Sequence, residues 1–328
     1  MTVSPFRILV TRPFDDEALE PLRAEPGVEL QVLEEGEAQD GVRLAEAAAS
    51  AHGILAMLTE RIDETLMGGC PELRVVSNFA VGTDNIDVPA ARARGIEVCN
   101  TPDVLTETTA EMAIALMFAV SRRVAEADRY VRAGRWTGWE PTALLGMDLH
   151  GKTLGIVGAG RIGAAVAKRG HGLGMEIVYA ARSAKPALEE RFGARLSNLE
   201  ELLGQAHVVS LHVPLVEAPP EQTTRSLLNA RRLDLLRPDA ILINTARGPI
   251  VDERALAEKL RRREIFGAGL DVFETEPDPI PELLELDNVV LAPHIGSATV
   301  TTRRRMADCA VENLVRFVRG ETPLSTVT

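Results

Sequence analysis

"GIVGAGRIG" spans 155–163 and sets Gly158, Gly160 and Gly163 in the spacing GxGxxG. Alone, that string is a weak signal. Its context strengthens it, because "KTLGIVG" (152–158) reads as a short buried strand and the Ala-rich stretch after Gly163 as a helix. There Gly158 permits a tight strand-to-helix turn, Gly160 lets backbone approach a pyrophosphate, and Gly163 lets the helix lie close on the strand. The helix N-terminus, opened by Arg161 and Ile162, offers unpaired amides and the positive end of its dipole. The stretch predicts a dinucleotide-binding α/β domain.

The next strand, "MEIVYAA" (175–181), decides which dinucleotide. A site for NAD usually carries Asp or Glu about 20 residues after the glycines, bonded to the ribose 2′-hydroxyl. Ala181 stands there, followed by Arg182 and Ser183, with Lys185 nearby. A carboxylate would repel a 2′-phosphate, whereas an arginine and a hydroxyl would bind one. NADPH is therefore favoured, with NADH as the other possibility. The competing reading has Arg182 stacking on adenine or pointing into solvent.

Outward from this stretch the chain alternates. "RILV" (7–10), "VELQVLE" (28–34), "HGILAML" (52–58), "LRVVSNFA" (73–80) and "IEVCN" (96–100) read as five strands. "KTLGIVG", "MEIVYAA", "HVVSLHV" (207–213), "AILIN" (240–244), "FGAGLDVF" (266–273) and "NVVLAP" (288–293) read as six more. Helical stretches between strands argue for βαβ units and parallel sheets. From Thr108 to Arg132 there is neither Gly nor Pro. "TTAE" (108–111) has capping-box spacing, and Met112, Leu116, Met117, Val120 and Val124 recur at helical spacing, which predicts one long core helix ending near Gly134. A final amphipathic helix covers roughly 299–319 and stops at Gly320, and "EAPPEQ" (217–222) reads as a surface loop. The fold class is two doubly wound, Rossmann-like α/β domains.

Composition agrees and excludes alternatives. The chain has 328 residues, 45% hydrophobic and only 4% aromatic, which suits layered strands and helices in two domains. A net charge of −12 speaks against general nucleic-acid affinity. The Arg triplets at 261–263 and 303–305 read as solvated helix faces. No apolar run approaches the ~20 residues that span a bilayer, and the N-terminus has no signal-peptide architecture. Cys70, Cys99 and Cys309 lack CxxC spacing, so neither disulfides nor a metal site is expected. A cytoplasmic enzyme without metal is the expectation.

Three later strand ends carry charge. "NTARG" brings Arg247, "GLDVFETEP" brings Asp271, Glu274 and Glu276, and "LAPHIGS" brings His294. Parallel sheets bind ligands beyond the carboxyl ends of their strands. Arginine holds a carboxylate in a bidentate fork at any working pH. Histidine exchanges a proton near neutrality, and a neighbouring carboxylate stabilises its charged form. With a nicotinamide these parts spell out hydride transfer to the carbonyl carbon of a 2-oxo acid, with His294 giving the proton and Arg247 anchoring the carboxylate.

With these residues in view, nearly the whole chain resembles the D-2-hydroxyacid dehydrogenases. "VGTDNID", "RGIEVCNTPDVLTETTAE", "GKTLGIVGAGRIG", "NTARGPIVDE", "GLDVFETEP" and "LAPHIGSAT" match the family's motifs in order and spacing. "NTPDVLTETTAEMA", "GRWTGWEP" and "YAARS" are most similar to the glyoxylate/hydroxypyruvate reductases. The resemblance implies Arg247, Glu276 and His294 as the catalytic three, with Glu276 orienting His294. It implies a substrate carboxylate on the amides of Val81 and Gly82, with Leu58 on the substrate loop. Thr245 and Ala246 fall to the cofactor, and Asp271 to its carboxamide. Trp139 would sit where a partner's arm reaches the substrate pocket, which implies a homodimer. The domains become 1–102 with 294–328 for substrate and 103–293 for dinucleotide, with the sites in a cleft that closes. His171, late in the first cofactor helix, reads as a surface residue.

Two alternatives stand beside this reading. A sister dehydrogenase acting on 3-phosphoglycerate would want basic residues around 58–61 and 80–83, where only Arg61 is found; one acting on a bulkier 2-oxo acid is also open. A nucleotide-sensing corepressor on the same fold would keep the trio but usually adds peptide-binding segments, whereas this chain stops soon after its last helix.

Overall fold

The computed structural model describes residues 4–13, 15–217 and 222–328. Most of the "EAPPEQ" stretch thus lies outside the described residues. The chain forms two compact units, one built from the chain up to Leu105 together with Thr299–Thr328, the other from Thr106–Ala298.

The first unit holds a parallel sheet of β1 (Phe6–Val10), β2 (Val28–Val32), β3 (Gly53–Ala56), β4 (Val75–Asn78) and β5 (Glu97–Cys99), in the order β2-β1-β3-β4-β5. β3 and β4 are buried at every position, as interior parallel strands must be. β2 is an edge strand and largely solvated, which explains its polar "ELQ". The helix Val300–Val318 packs on this sheet through Met306, Ala310, Val311, Leu314 and Val315. Thr299 caps its start, and Gly320 lies just past its end at φ +73°.

The second unit holds seven parallel strands: β6 (Thr153–Val157), β7 (Glu176–Ala180), β8 (Arg195–Leu196), β9 (Val208–Leu211), β10 (Ile241–Asn244), β11 (Gly267–Leu270) and β12 (Val289–Leu291). Their order is β12-β11-β10-β9-β6-β7-β8, so the topology reverses between β6 and β9. This is the dinucleotide-fold order extended by one edge strand. β8 is absent from the sequence reading; it is two exposed residues long and too short to carry a hydrophobic period.

Two expectations are corrected. The long helix is two helices, Thr106–Ser121 and Val124–Arg132. Arg123 between them is left-handed (φ +51°), and its guanidinium forks onto Glu126 with two 2.8 Å bonds. That conformation costs about 1–2 kcal/mol without glycine, and no Gly or Pro signals it. Val124 is consequently 54% exposed instead of core. The helix also starts at Thr106, so Thr108 lies inside its first turn and the Glu111 carboxylate accepts from Arg169 at 3.0 Å. The compact units themselves divide at 105/106 and 298/299. The helix Thr106–Ser121 packs on β10 and β11, and the loop after β12 is tied to β11, so both go with the second sheet. Among the arginines, Arg303 is not simply solvated; its guanidinium lies 5.8 Å from the centre of the Phe79 ring.

The last helix is tied to the first sheet by a buried polar residue as well as by apolar ones. Asn313 is fully buried; its Nδ2 donates to the Asn100 carbonyl (3.1 Å) and its Oδ1 accepts from the Ser325 amide (3.2 Å). Asn313→Ala leaves both partners unsatisfied and should cost about 2–4 kcal/mol. Differential scanning calorimetry should show it as a lowered transition for the first unit.

Candidate active site

The glycine turn joins β6 to the helix Arg161–Gly172. Gly158 has φ +95°, and a Cβ there would stand 2.6 Å from the carbonyl oxygen of His212 on the neighbouring strand end. Only glycine satisfies both constraints. Gly160 is the helix N-cap, no side chain caps it, and a Cβ there would have nothing within 4 Å. The first amides of the helix therefore face an open cradle at the topological switch point, the setting that fits a pyrophosphate. Thr245, at the end of β10, adds a buried Oγ1 without a hydrogen-bond partner. These features fit a nicotinamide dinucleotide.

Past β7, Ala181 is half-buried while Arg182 and Ser183 are exposed. Lys185 bends back, its Nζ 3.5 Å from Ser183 Oγ and its amide donating to Tyr179 Oη at 2.7 Å. Glu189 follows on the next helix, but its carboxylate is held by the Tyr179 hydroxyl at 2.5 Å.

Three strand ends of the second unit build a polar cluster. Asn244, buried at the end of β10, accepts from the Ala246 amide (3.0 Å) and donates to the Arg247 carbonyl (2.9 Å). This shapes the turn that carries Arg247, whose half-buried guanidinium donates to the Ala246 carbonyl at 2.8 Å. His294 follows β12 with φ +54°, a conformation that neighbouring bonds must maintain. Its amide donates to the Asp271 carbonyl (2.9 Å), while the Asp271 carboxylate accepts from Ile295 (2.8 Å) and Gly296 (2.7 Å). Asp271 is thus the anchor of the histidine loop, and burial pushes its carboxyl pKa up despite those amides.

The result is a 2.8 Å hydrogen bond between His294 Nδ1 and Glu276 Oε2. Burial alone would raise the Glu276 pKa. The hydrogen bond and charge of His294, the Phe273 amide and the charge of Arg247 overcome it, so the carboxyl sits below its usual range. No other histidine among the described residues has a carboxylate this close. His212, 2.8 Å from Ser210 Oγ, is pushed down to about 3 by burial and stays neutral at working pH. His171 is exposed, its ring against Phe192. Among the described residues no group of three or more His, Cys, Asp or Glu side chains could hold a metal ion, and no helix is long and apolar enough to cross a membrane.

In the first unit, the loops after β3 and β4 carry Leu58, Val81 and Gly82. Leu58, Val81 and Gly82 are all half-buried. The carbonyls of Val81 and Gly82 accept from Asn100 and Asn78, each at 2.8 Å. Trp139, in the second unit, is 83% exposed.

Sequence reading missed several groups. Glu253, the first residue of its helix, is buried and accepts from the Glu274 amide, tying down the loop that carries Glu276. Burial pushes its pKa up. Arg12 reaches the loop after β3, donating to Thr59 Oγ1 (2.7 Å) and Glu60 Oε1 (3.0 Å). A count of basic residues around 58–61 could not find it, because it lies 47 residues from Thr59 in the chain. Glu253 ends the "NTARGPIVDE" stretch and Arg12 follows the first strand, and those positions are the sequence signal they offer.

Comparison with known proteins bears on the family and the fold. The family model for the D-isomer specific 2-hydroxyacid dehydrogenase NAD binding domain matches residues 114–296. A shorter match, over 26–112, is to the catalytic domain of the Mur ligase family, and describes that segment alone. A glyoxylate reductase of Thermococcus litoralis is 44% identical over 98% of this chain and 96% of its own. A crystal structure of a Thermus thermophilus protein superposes with a TM-score of 0.90 at 48% identity, covering 98% of this chain and all of that one. An NADPH-dependent glyoxylate/hydroxypyruvate reductase of Sinorhizobium meliloti, solved with NADP and malonate, gives 0.87 at 36% identity, covering 99% and 97%.

Fold, glycine turn and polar cluster together define a nicotinamide-nucleotide-dependent oxidoreductase. More particularly, the chain belongs to the D-isomer specific 2-hydroxyacid dehydrogenase family.

The Glu276 shift has a definite sign. A carboxylate with a lowered folded pKa contributes stability that is fully present above its ordinary value of 4.5 and is lost as pH falls through the lowered one. Carbon-13 NMR of the Glu276 carboxyl should give a midpoint below 4.5. In His294→Ala the midpoint should move upward, because burial then acts with less opposition.

Proposed function

We propose that this enzyme reduces a small 2-oxo acid, glyoxylate or hydroxypyruvate, to the 2-hydroxy acid, with NADPH preferred over NADH. The observation that carries the reading is the His294–Glu276 hydrogen bond of 2.8 Å on the strand ends that also present Arg247. Bound nicotinamide supplies a hydride to the carbonyl carbon. With Nδ1 committed to Glu276, the His294 nitrogen left to meet the substrate is Nε2, which gives its proton to the carbonyl oxygen. Arg247 forks onto the substrate carboxylate and stays charged throughout. We assign the amides of Val81 and Gly82 to substrate carboxylate binding and Leu58 to the substrate wall. Neither amide donates to another backbone group among the described residues, which supports the assignment. Gly158, Gly160, Arg161, Ile162 and Gly163 would hold the pyrophosphate, and Thr245, Ala246 and Asp271 the nicotinamide side.

The preference for NADPH rests on Arg182 and Ser183, exposed where an acidic residue would favour NADH. The first unit is then the substrate domain and the second the dinucleotide domain. Trp136, Trp139, Leu145, Val124 and Val131 are all at least 54% exposed. This apolar surface supports a homodimer with Trp139 at the partner's pocket. We place the enzyme in the cytoplasm, on the ground that Cys70, Cys99 and Cys309 lack disulfide or metal spacing.

Initial rates with NADPH and NADH, each against glyoxylate and hydroxypyruvate, test the reading. NADPH should win with either acid, and Arg182→Ala should erase most of its advantage. Arg247→Lys keeps charge and loses the fork, so kcat/KM should fall about 10²–10³-fold with an unchanged melting temperature. His294→Gln should cost about 10²–10⁴-fold. Wild-type turnover in either variant would remove the proposed chemistry. Negligible turnover in all four assays would turn attention to bulkier 2-oxo acids and to the corepressor reading.

A further inference from the structure

Glu60 is a carboxylate buried to 1% exposure in the loop after β3. Four donors converge on it, about the number an ionised carboxylate accepts. Thr11 Oγ1 (2.7 Å) and the Met57 amide (2.5 Å) bond to Oε2; Thr59 Oγ1 (2.7 Å) and Arg12 Nη2 (3.0 Å) bond to Oε1. Donors on both sides of Leu58, at 57 and 59, thus close onto one carboxylate, and two more reach it from the end of β1. Such a group is costly to bury unless the fold uses every bond it makes.

The clamp extends to the next loop. Asn85 Nδ2 donates to the carbonyls of Met57 (3.0 Å) and Glu60 (3.1 Å). Its Oδ1 accepts from Asn78 Nδ2 (3.0 Å), which also donates to the Gly82 carbonyl (2.8 Å). A continuous hydrogen-bonded path therefore runs from Glu60 to the backbone of Gly82, joining the loops that carry Leu58 and the Val81–Gly82 amides.

From this geometry we infer that Glu60 is a positioning residue for substrate: with Arg12, it fixes the Leu58 loop and, through Asn85 and Asn78, the carboxylate-receiving amides. The inference rests on the proposed reduction of a 2-oxo acid. It touches neither hydride nor proton transfer, so its loss should appear in substrate affinity before turnover. Glu60→Gln keeps the size but turns an acceptor into a donor facing its donors.

The wild-type enzyme is assayed first with glyoxylate and NADPH, so failure of the functional reading is seen before any variant is made. Glu60→Gln and Glu60→Ala should raise the glyoxylate KM at least about tenfold while kcat falls less than about threefold. The dissociation constant for NADPH, from its fluorescence, should be unchanged. Thr11→Val and Arg12→Ala, each removing one donor, should move KM the same way by less, and they carry the test if Glu60→Ala does not fold. Hydrogen exchange should quicken at amides 57–60 and 81–83 in Glu60→Gln, a readout independent of turnover. Wild-type KM in Glu60→Gln, or a kcat loss as large as the KM rise, overturns the role. So does unchanged exchange in both loops. If the wild type reduces no 2-oxo acid, quickened exchange in both loops retains the clamp and discards only its substrate.

Discussion

The backbone of His294 depends on a carboxylate that moves neither the proton nor the hydride of the proposed reaction. Asp271 is buried at the end of β11, and its two oxygens take the amides of Ile295 and Gly296 while its own carbonyl takes that of His294. Those three bonds maintain a left-handed histidine that free backbone would abandon at a gain of about 1–2 kcal/mol. The side chain then meets Glu276, whose loop is held from beneath by Glu253. Two buried acids with raised pKa values thus support one acid whose pKa is lowered. Burial acts on all three; what separates them is the partner. Glu276 alone of the three meets a histidine in a direct hydrogen bond, and that bond, with the Phe273 amide and the Arg247 charge, reverses the sign of its shift.

The first unit uses the same device without a histidine. Glu60 collects hydroxyl, amide and guanidinium donors from two strand ends and so shapes a loop that has no regular structure of its own. In both units the interior strands are apolar and buried, and the polar groups gather where the strands stop. Parallel strands leave little alternative, since both faces are covered by helices and only the carboxyl ends can present side chains to a ligand.

Much of this was legible in the residues. The alternation of short β-branched runs with helical stretches located eleven of the twelve strands to within a few residues, and the glycine spacing identified the dinucleotide turn. Arg247, Glu276 and His294 stood out because charge at the end of an apolar strand needs a reason. The break at Arg123 was not legible: it is made by an arginine whose fork onto Glu126 substitutes for a glycine, and composition carries no mark of that. Nor was the early start of the helix at Thr106, because several of its neighbours have equally good capping chemistry.

The sequence by itself determined the fold class and the candidate chemical groups, because hydrophobic period and glycine spacing are local properties that act over a few residues. Only the tertiary structure decided which groups meet. Arg12 and Glu60 are 48 residues apart, and Glu276 and His294 are 18. Hydrogen bonds have a reach of about 3 Å, and which distant residues come within it is set by the packing of strands and loops that no local pattern encodes.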